Sequence, residues 1–337
     1  YRGSHLTPNQ DDISSTGEGV LISSEQSGGF SLEYAGNNEA VMVWTDYSTD
    51  GDSDLRAQRF NTDMECLWNE EDSFNGKIIC DADNIQHKAK VTTFNDNHVI
   101  VVWRDLRNDA DGDVYAQILD SEGSGLLEEN GSIICNDEGQ QASPRVKSDG
   151  THAYIYWEDK RYNNVDPFIQ KMDTSGNLLW TENGVQVTTD SNDQDQVRMS
   201  PDNNGGVFFT WVDGRGDNNM TWAGSDIYLE HINSEGNLAF GSSGLVIDDD
   251  PGPQIDPLIK CNNDGESYII WNDRKDGSNI IVEVQKATTQ GINFEENGQE
   301  IWYGVDGNAL LSSSLNITDG QFLIAWEDNR FLSTGHP

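Results

Sequence analysis

Basic residues are scarce in this chain, which has 20 Lys and Arg against 59 Asp and Glu and a formal net charge of −39 at pH 7. Nucleic acids and anionic membrane surfaces attract clustered Lys and Arg, so the charge argues against both as partners. The acidity fits a cation-rich extracellular fluid that contains calcium. Solubility or adaptation to salt explains it equally well, and composition alone leaves these alternatives open.

Long apolar runs and paired cysteines are absent as well. No run reaches the roughly 18 apolar residues of a membrane-spanning helix, so we expect no membrane insertion. The cysteines show no CxxC pair and no metal-ligand spacing. Cys80 and Cys135 end the matching segments KIIC and SIIC, which indicates a small apolar residue there, and a Cys66–Cys80 disulfide stays open. The chain begins at Tyr1 without a signal-like segment, so we expect a processed or excised part of a longer polypeptide.

One block of about 55 residues recurs six times, and two markers define it. The first marker is an apolar run that ends in Trp-x-Asp, and its six tryptophans are Trp44, Trp103, Trp157, Trp211, Trp271 and Trp326. The second is an amide residue 16 to 18 positions before each tryptophan: Gln26, Gln86, Gln141, Gln194, Gln254 and Asn308. Two markers in the same phase indicate an internal repeat.

Each repeat predicts four strands, which we label A to D. Strand A follows the amide residue, strand B is the apolar run, strand C follows a polar loop as in DVYAQIL, and strand D follows a glycine as in NGSIIC. Strand B is apolar at nearly every position, which is typical of a strand buried on both faces. Four antiparallel strands at this period predict the blades of an all-β protein, a β-propeller.

The two ends of the chain predict how such a ring closes. Residues 1–23 match strands C and D of a repeat, whereas residues 308–330 supply strands A and B. A blade shared between the termini, with two strands from each end, removes free sheet edges. We therefore predict a single domain over residues 1–337, a closed six-bladed β-propeller, with an open array of repeats as the alternative.

Five of the Trp-x-Asp sites continue with a base, as in WRDLR and WEDKR. We expect the arginines to pair with the Trp-x-Asp carboxylate or with the Asp that opens strand C. The arginines are Arg107, Arg161, Arg215 and Arg330, and the strand C residues are Asp54, Asp113, Asp166 and Asp226. A residue that recurs in every blade favours a structural role over a catalytic one.

The loops between strands B and C are acidic and vary between repeats. In the first two repeats aspartate recurs at every second position: Asp50, Asp52, Asp54, and Asp109, Asp111, Asp113. Calcium prefers several carboxylate and carbonyl oxygens, so this pattern predicts calcium as a cofactor, although the EF-hand spacing is absent. Solvated turns are the alternative for the same residue types.

The amide series predicts a site for a polar ligand. Gln26, Gln86, Gln141, Gln194, Gln254 and Asn308 are expected around the mouth of the central channel, where their amides would contact a polar ligand or ordered water. The alternative is that each amide caps neighbouring backbone groups.

Signatures of catalysis are missing from the sequence. HExxH and GxSxG do not occur, the six histidines are scattered, and we predict no catalytic residue. With 59 acidic residues, a carboxylate pair for glycoside hydrolysis is always available and therefore carries no signal. We predict a non-enzymatic binding or adhesion module, extracellular or on the cell surface, with a protein or glycan ligand on the acidic loop face. The alternatives are a secreted polysaccharide hydrolase or lyase that uses channel-face carboxylates, and a structural spacer.

The repeat also resembles a known group of proteins. Its pattern W-x-D-x-R followed by D-x-Y-A-Q is carried here by WRDLRNDADGDVYAQILDSEG and WEDKRYNNVDPFIQKMDTSGNLLW. It is similar to repeats of secreted and surface proteins of Bacteroidetes-like bacteria, which often carry C-terminal sorting domains. The resemblance implies export and a place in a larger surface or secreted assembly, and it implies no single activity.

Overall fold

The computed structural model describes residues 27–47, 51–68, 76–95, 97–162, 164–192, 194–215, 224–274 and 280–303, and the short strand segments 2–3, 20–21, 309–310, 315–318, 321–324 and 327–328. The regular structure of these residues is β-strand. Within these ranges, no helix is long and apolar enough to cross a membrane. The chain divides into two compact units, residues Tyr1–Arg161 with Phe168–Gly184, and residues Tyr162–Pro167 with Val185–Pro337.

The strands up to Cys135 form one short strand pair and two four-stranded sheets. The pair is antiparallel and consists of β1 (Arg2–Gly3) and β2 (Val20–Leu21). Sheet 1 contains, in spatial order, β3 (Ser27–Gly36), β4 (Glu39–Tyr47), β5 (Ser53–Phe60) and β6 (Lys77–Cys80). Sheet 2 contains β7 (Gln86–Phe94), β8 (His98–Asp105), β9 (Asp113–Leu119) and β10 (Ser132–Cys135).

The next three sheets repeat this plan. Sheet 3 contains β11 (Gln141–Ser148), β12 (His152–Asp159), β13 (Asp166–Asp173) and β14 (Val185–Gln186). Sheet 4 contains β15 (Gln194–Pro201), β16 (Val207–Asp213), β17 (Asp226–Ile232) and β18 (Leu245–Asp248). Sheet 5 contains β19 (Gln254–Cys261), β20 (Ser267–Asp273), β21 (Ile281–Thr288), and two short strands that both pair with β21, β22 (Gly291–Ile292) and β23 (Gln299–Tyr303).

The last strands form two antiparallel pairs. These are β24 (Ala309–Leu310) with β27 (Glu327–Asp328), and β25 (Leu315–Thr318) with β26 (Gln321–Ile324). Each of the five larger sheets is an antiparallel meander of consecutive strands, which is the topology of a propeller blade. The prediction of an all-β chain with four strands in each of these repeats is thereby confirmed.

The apolar strand B runs form the interior, as predicted from their lack of alternation. In β8, Val99 to Trp103 are all buried, and the five described tryptophans of the Trp-x-Asp motif have no exposed surface. Glycine lets the chain pass close to these indoles. At Gly131, which has φ +87°, a Cβ atom would lie 2.3 Å from Cη2 of Trp103, so only glycine fits there. This contact explains the glycine before each strand D.

The strand A segments lie beside one another within each unit. In the first unit β3 packs on β7 and β7 on β11, and in the second β15 packs on β19 and β19 on β25. Apolar residues of strand A fill the space toward the preceding sheet. Val91 and Val146 are 5% and 6% exposed and join the apolar clusters shared with sheets 1 and 2 respectively. Leu32 has the equivalent place in β3, two residues before the tryptophan in the register with β4, but it is 66% exposed.

Candidate functional site

The Trp-x-Asp motif of sheet 2 forms a closed hydrogen-bonded group, which we call the Trp-Asp-Arg clamp. The indole Nε1 of Trp103 donates to Oδ2 of Asp105 at 2.8 Å. Arg107 donates to the same carboxylate from Nε to Oδ1 at 2.9 Å and from Nη2 to Oδ2 at 2.6 Å. The guanidinium also stacks 4.1 Å from the ring centre of Tyr115. The buried carboxylate of Asp105 is therefore held by charge-assisted bonds on both oxygens.

The same clamp recurs in sheets 3 and 4. Its members are Trp157, Asp159, Arg161 and Phe168 in sheet 3, and Trp211, Asp213, Arg215 and Tyr228 in sheet 4. The Trp-x-Asp carboxylate was one of the two partners predicted for the arginines, and Arg107, Arg161 and Arg215 all bind it. Arg330 lies outside the described residues. A clamp with no exposed carboxylate and the same form in three sheets has a structural role.

The clamp arginines also join neighbouring strands D through their second nitrogen. Nη2 of Arg107 lies 3.1 Å from Sγ of Cys80, and Nη2 of Arg161 lies 3.3 Å from Sγ of Cys135. Both thiols are buried, and burial raises the pKa of each to about 12. All four cysteines are free, so the structure contains no Cys66–Cys80 disulfide, and the two matching cysteines act as the small buried residues that the repeat predicted.

Sheet 1 keeps only the arginine–carboxylate part of the clamp, because the buried indole Nε1 of Trp44 has no hydrogen-bond partner among the described residues. Ser48 has the sequence position of the clamp arginine and lies outside the described residues, and Arg56 from β5 donates from Nε to Oδ2 of Asp46 at 2.5 Å. Arg56 stands opposite Trp44 in the register, where sheets 2 and 4 carry the stacking tyrosine. A base therefore reaches the carboxylate from strand C when the loop does not supply one.

Sheet 5 departs furthest from the clamp and brings three buried acids together. The indole Nε1 of Trp271 donates to Oδ2 of Asp248 at 2.7 Å rather than to Asp273. Carboxylate oxygens of Asp248, Asp273 and Glu283 lie within 4.8 Å of one another. Asp248 has the register position of Cys80 and Cys135, and Glu283 has that of the stacking tyrosines. Lys275, which has the sequence position of the clamp arginine, lies outside the described residues.

The protonation of this acidic group follows from its burial. Burial and the nearby Glu283 and Asp273 carboxylates raise the pKa of Asp248 to about 8, against 3.8 for an ordinary aspartate. Repulsion among three buried carboxylates favours a bound proton or a cation at the group. Sequence reasoning missed these residues, although an acid in the column of Cys80 and Cys135 was visible in LVID.

The glutamines of the predicted ligand site begin strand A and are buried. Gln86, Gln141, Gln194 and Gln254 are 0 to 4% exposed, and Gln26 and Asn308 lie outside the described residues. Their Nε2 groups donate to backbone carbonyls of the preceding loop: Gln86 to Asp83 at 3.3 Å, Gln141 to Gly139 at 3.0 Å, Gln194 to Asn192, and Gln254 to Asp250 at 2.9 Å. Each amide therefore caps a loop carbonyl.

The carbonyl ends of these four amides, unlike their Nε2 ends, make no hydrogen bond to the described residues. The Oε1 atoms of all four glutamines are buried and have no hydrogen-bond partner among the described residues. Turning an amide around would place its oxygen against the loop carbonyl, so the donors fix the orientation. Buried carbonyl oxygens normally accept a hydrogen bond, so each of these positions suits a water molecule or a donor from a polar ligand.

The acidic loop of sheet 2 uses its first aspartate to shape the turn. Oδ1 of Asp109 accepts the backbone N–H of Asp111 and of Gly112, both at 2.8 Å. Asp113 is buried and accepts the side-chain amide of Asn108 at 2.7 Å, and burial raises its pKa. Asp109 and Asp111 are exposed. Within the described residues, these three carboxylates form no group as close as that in sheet 5.

The acidic loop of sheet 1 is described from residue 51 onward, so Asp50 lies outside the described residues. Oδ1 of Asp52 accepts the backbone N–H of Ser53 at 2.9 Å. Burial first, and then the charge of Asp52, raise the pKa of Asp54. A cation near the two carboxylates would relieve this repulsion. The calcium prediction for both loops stays a prediction.

An open groove lies between these two loops. It has a volume of about 360 Å³ and is lined by Gly51, Asn84, Ile85, Leu106, Arg107, Asn108, Asp109 and Ala110. Both apolar side chains and amides line it, and Asp109 is the one carboxylate among its described residues. The groove is thus on the acidic loop face, where the sequence predicted a ligand.

A second cavity lies beside the turns that join strands A to B and strands C to D in sheets 4 and 5. It has a volume of about 330 Å³ and is lined by Asp202, Asn204, His231, Asn233, Ser234, Asp264, Gly265, Thr288 and Thr289. Nε2 of His231 lies 2.8 Å from Oδ2 of the buried Asp202. Although burial opposes it, the hydrogen bonds from His231 and two backbone N–H groups lower the pKa of Asp202. The exposed Asp264 is the second carboxylate among the described residues that line this cavity.

Comparisons with known proteins identify no family. No protein-family model matches the chain. No curated protein matches it either. The repeat resemblance drawn from the sequence therefore stays a prediction.

Several solved structures are similar to this chain. A protein of unknown function from Dyadobacter fermentans is 10% identical, with 91% of this chain and 96% of that chain covered and a TM-score of 0.43. The α-L-arabinofuranosidase Arb93A from Fusarium graminearum is 9% identical, with 77% and 87% covered and a TM-score of 0.42. The α-L-arabinanase from Penicillium chrysogenum is 13% identical, with 85% and 97% covered and a TM-score of 0.39. Similarity at this level assigns no activity to the chain.

Proposed function

We propose that this chain is a non-enzymatic binding or adhesion module, and that its protein or glycan ligand lies in the groove on the acidic loop face. The supporting observation is the lining of the groove, which mixes the apolar Ile85 and Leu106 with the amides of Asn84 and Asn108. Such a mixture suits the contact of a ligand that has both apolar and hydrogen-bonding surface. We further infer an extracellular or cell-surface location within a larger assembly, supported by the net charge of −39 and the repeat pattern.

The carboxylates of the groove favour binding over hydrolysis. Glycoside hydrolysis generally needs two carboxyl groups on opposite sides of the scissile bond. Among the described residues of the lining, Asp109 is the one carboxylate, and its Oδ1 is occupied by two backbone N–H groups. The described part of the groove therefore offers contacts without the pair of acids that the reaction requires.

We also propose that the buried glutamine oxygens belong to the ligand-binding machinery, as ligand or water positions at the start of each strand A. The four unpartnered Oε1 atoms support this role. Gln26 and Asn308 would complete the series.

We propose that the sheets close into a ring of six blades, the sixth shared between residues 1–23 and 308–330. The exposure of Leu32 supports closure, because the equivalent Val91 and Val146 are covered by the preceding sheet. The pairing of β25 with β26, and the packing of β25 on β19, agree with strands A and B of a further blade.

The second candidate function is a secreted polysaccharide hydrolase, and the cavity between sheets 4 and 5 favours it. Asp202 and Asp264 give this cavity two carboxylates, the number that hydrolysis requires, although Asp202, like Asp109, accepts two backbone N–H groups.

Incubation with a panel of insoluble polysaccharides separates the two functions. Binding predicts that the protein is retained on a matrix while no soluble sugar is released. Release of sugar that is lost in Asp264→Asn would establish the hydrolase instead. Retention on no polysaccharide, together with retention on a bacterial surface protein, would select the protein ligand.

We propose calcium as the ion of the two acidic loops. Chelation by EDTA is then expected to lower the melting temperature, because the loop carboxylates lose their shared cation. Asp52→Asn and Asp111→Asn should reduce the EDTA effect, whereas the exposed Asp264→Asn at the opposite end should preserve it. An EDTA effect that is absent, or equal in all variants, would contradict these loops as the site.

A further inference from the structure

Glu230 stands in a column of glutamines. At one register position of strand C, where the partner residue lies two places before the tryptophan, the other sheets carry glutamine: Gln58, Gln117, Gln170 and Gln285. All five side chains are buried, with at most 4% of the residue exposed. The position therefore demands the same shape in the five described sheets, and among these only sheet 4 meets it with an acid.

Three of the four glutamines of this column fasten the turn between strands C and D with three hydrogen bonds, whereas Gln58 makes the two bonds of Oε1 and its Nε2 has no partner among the described residues. Oε1 of Gln170 accepts the backbone N–H of Lys171 at 2.8 Å and of Trp180 at 3.0 Å, and its Nε2 donates to the carbonyl of Thr181 at 2.8 Å. Gln117 and Gln285 make the same three bonds in sheets 2 and 5. The third bond needs a donor at this end of the side chain.

Glu230 reproduces the first two bonds. Its Oε1 accepts the N–H of His231 at 2.9 Å and of Phe240 at 2.8 Å. The turn is also the same, since Gly244 donates to the carbonyl of Gly241 at 3.0 Å, as Gly184 donates to that of Thr181 at 2.9 Å. Oε2 of Glu230 is buried and has no hydrogen-bond partner among the described residues. In the glutamines this position is taken by Nε2, the donor of the third bond.

We propose that Glu230 is held as the neutral carboxylic acid and replaces glutamine, with its Oε2 hydroxyl donating to the carbonyl oxygen of Gly241. An ionised Oε2 would face that carbonyl with no donor between two acceptors. The proton thus acts as the third fastening of the turn between β17 and β18. Loss of this proton at higher pH loosens one turn of the second unit and no equivalent turn in the other sheets.

The surroundings of Glu230 agree with a neutral acid. Burial raises its pKa to about 7 from 4.5, and the backbone N–H groups of Phe240, His231 and Ala239 oppose the rise. Titratable groups on the packed elements have other partners: His231 with Asp202, Asp213 with Arg215, Asp248 with Trp271, Asp256 with Asn272, and Glu235 with Ser234. The remaining titratable groups of β17 and β19 are Asp226, whose pKa is raised to about 6 mainly by burial, Tyr228, whose ring stacks on Arg215, Cys261, whose thiol donates to the carbonyl of Ser200, and the exposed Lys260.

The pH dependence has a definite sign. The folded chain holds this proton more tightly than the unfolded chain, so its stabilising effect is complete below about pH 4.5 and lost as the pH rises to about 7. Between those values the unfolding constant gains about tenfold for each pH unit from this group alone. Above about pH 7 the effect of Glu230 on the unfolding constant no longer changes with pH.

Urea unfolding of the full chain and of Glu230→Gln, from about pH 5 to about pH 8, tests the proposal. We expect the ratio of the wild-type to the variant unfolding constant to rise about tenfold per pH unit and then level off. The matched variant Gln170→Glu should acquire the same dependence in sheet 3. A ratio that does not change with pH would overturn the proposal.

Infrared spectroscopy gives a readout that does not depend on stability. Asp248 and Asp226 also carry protons at about pH 6, so the difference spectrum of the wild-type protein minus Glu230→Gln should show the carbonyl stretch of one further protonated carboxyl group. Identical spectra of the two proteins in that region would also overturn the proposal.

Discussion

The guanidinium of Arg161 holds the carboxylate of Asp159 with two hydrogen bonds, from Nε to Oδ1 at 2.9 Å and from Nη2 to Oδ2 at 2.6 Å. The indole of Trp157 adds a third bond to Oδ2 at 2.8 Å, and the backbone N–H of Arg161 adds a fourth to Oδ1 at 2.9 Å. The side chain of Asp159 has no exposed surface. The repeated Trp-x-Asp pattern therefore reflects a buried charge that needs all of these donors.

Replacing Arg161 by Met should cost about 3–5 kcal/mol in the free energy of unfolding, because the buried Asp159 charge is left without its cation. Urea denaturation measures the loss. The exposed Arg145→Met removes an equal charge from the same sheet and should cost less than about 1 kcal/mol. Equal small losses in both variants would show that the clamp contributes little stability.

Replacing Asp248 by Thr, the residue at the matching place 188 of sheet 3, should stabilise the protein at high pH. The pKa of Asp248 in the folded chain is about 8 and its ordinary value is 3.8, so wild-type stability falls as the pH rises between these values. The variant has no such group and should unfold with a flatter pH profile. Thermal unfolding at several pH values compares the two proteins.

The exposed neighbour Asp249→Asn serves as the control, since it removes one charge outside the buried group. Its pH profile should parallel that of the wild type. A flat profile in the control, or an unchanged profile in Asp248→Thr, would contradict the role given to the acidic group.

Replacing Leu32 by Ala tests the closure of the ring. In a closed ring the side chain is covered by a preceding blade, and the loss should be about 2–5 kcal/mol, as for other buried leucines. Leu126→Ala, at a residue that is 50% exposed, should cost less than about 1 kcal/mol. If the two variants lose equally little stability in urea denaturation, the strands do not close over Leu32.

Much of the fold follows from the sequence because its markers recur in phase. The tryptophans and glutamines set the length of each unit, and the unbroken apolar run before Trp103 indicated a strand buried on both faces. The sequence left two partners open for each arginine, the Trp-x-Asp carboxylate and the aspartate that opens strand C, because both lie near the same end of the sheet. The geometry resolves this choice for Arg107, Arg161 and Arg215.

The sequence reading missed Glu230 and Asp248 for a common reason. Both are acids in columns that otherwise carry Gln, or Cys and Thr, and a column becomes meaningful only once the strand register is known. In a chain with 59 acidic residues, no single acid attracts notice. The carbonyl ends of the buried glutamines were equally hidden, because the sequence does not show which end of an amide is capped.

Retention of Ala110→Trp on the ligand that retains the wild-type protein tests the central proposal most directly. Ala110 lines the groove and is exposed, so an indole there should fill the groove without disturbing the core. The exposed Ala239→Trp makes the same change at a turn of sheet 4 outside the groove. We expect Ala110→Trp to lose at least about tenfold in affinity while Ala239→Trp binds like the wild type. Equal affinity of both variants and the wild type would contradict a ligand site in the groove.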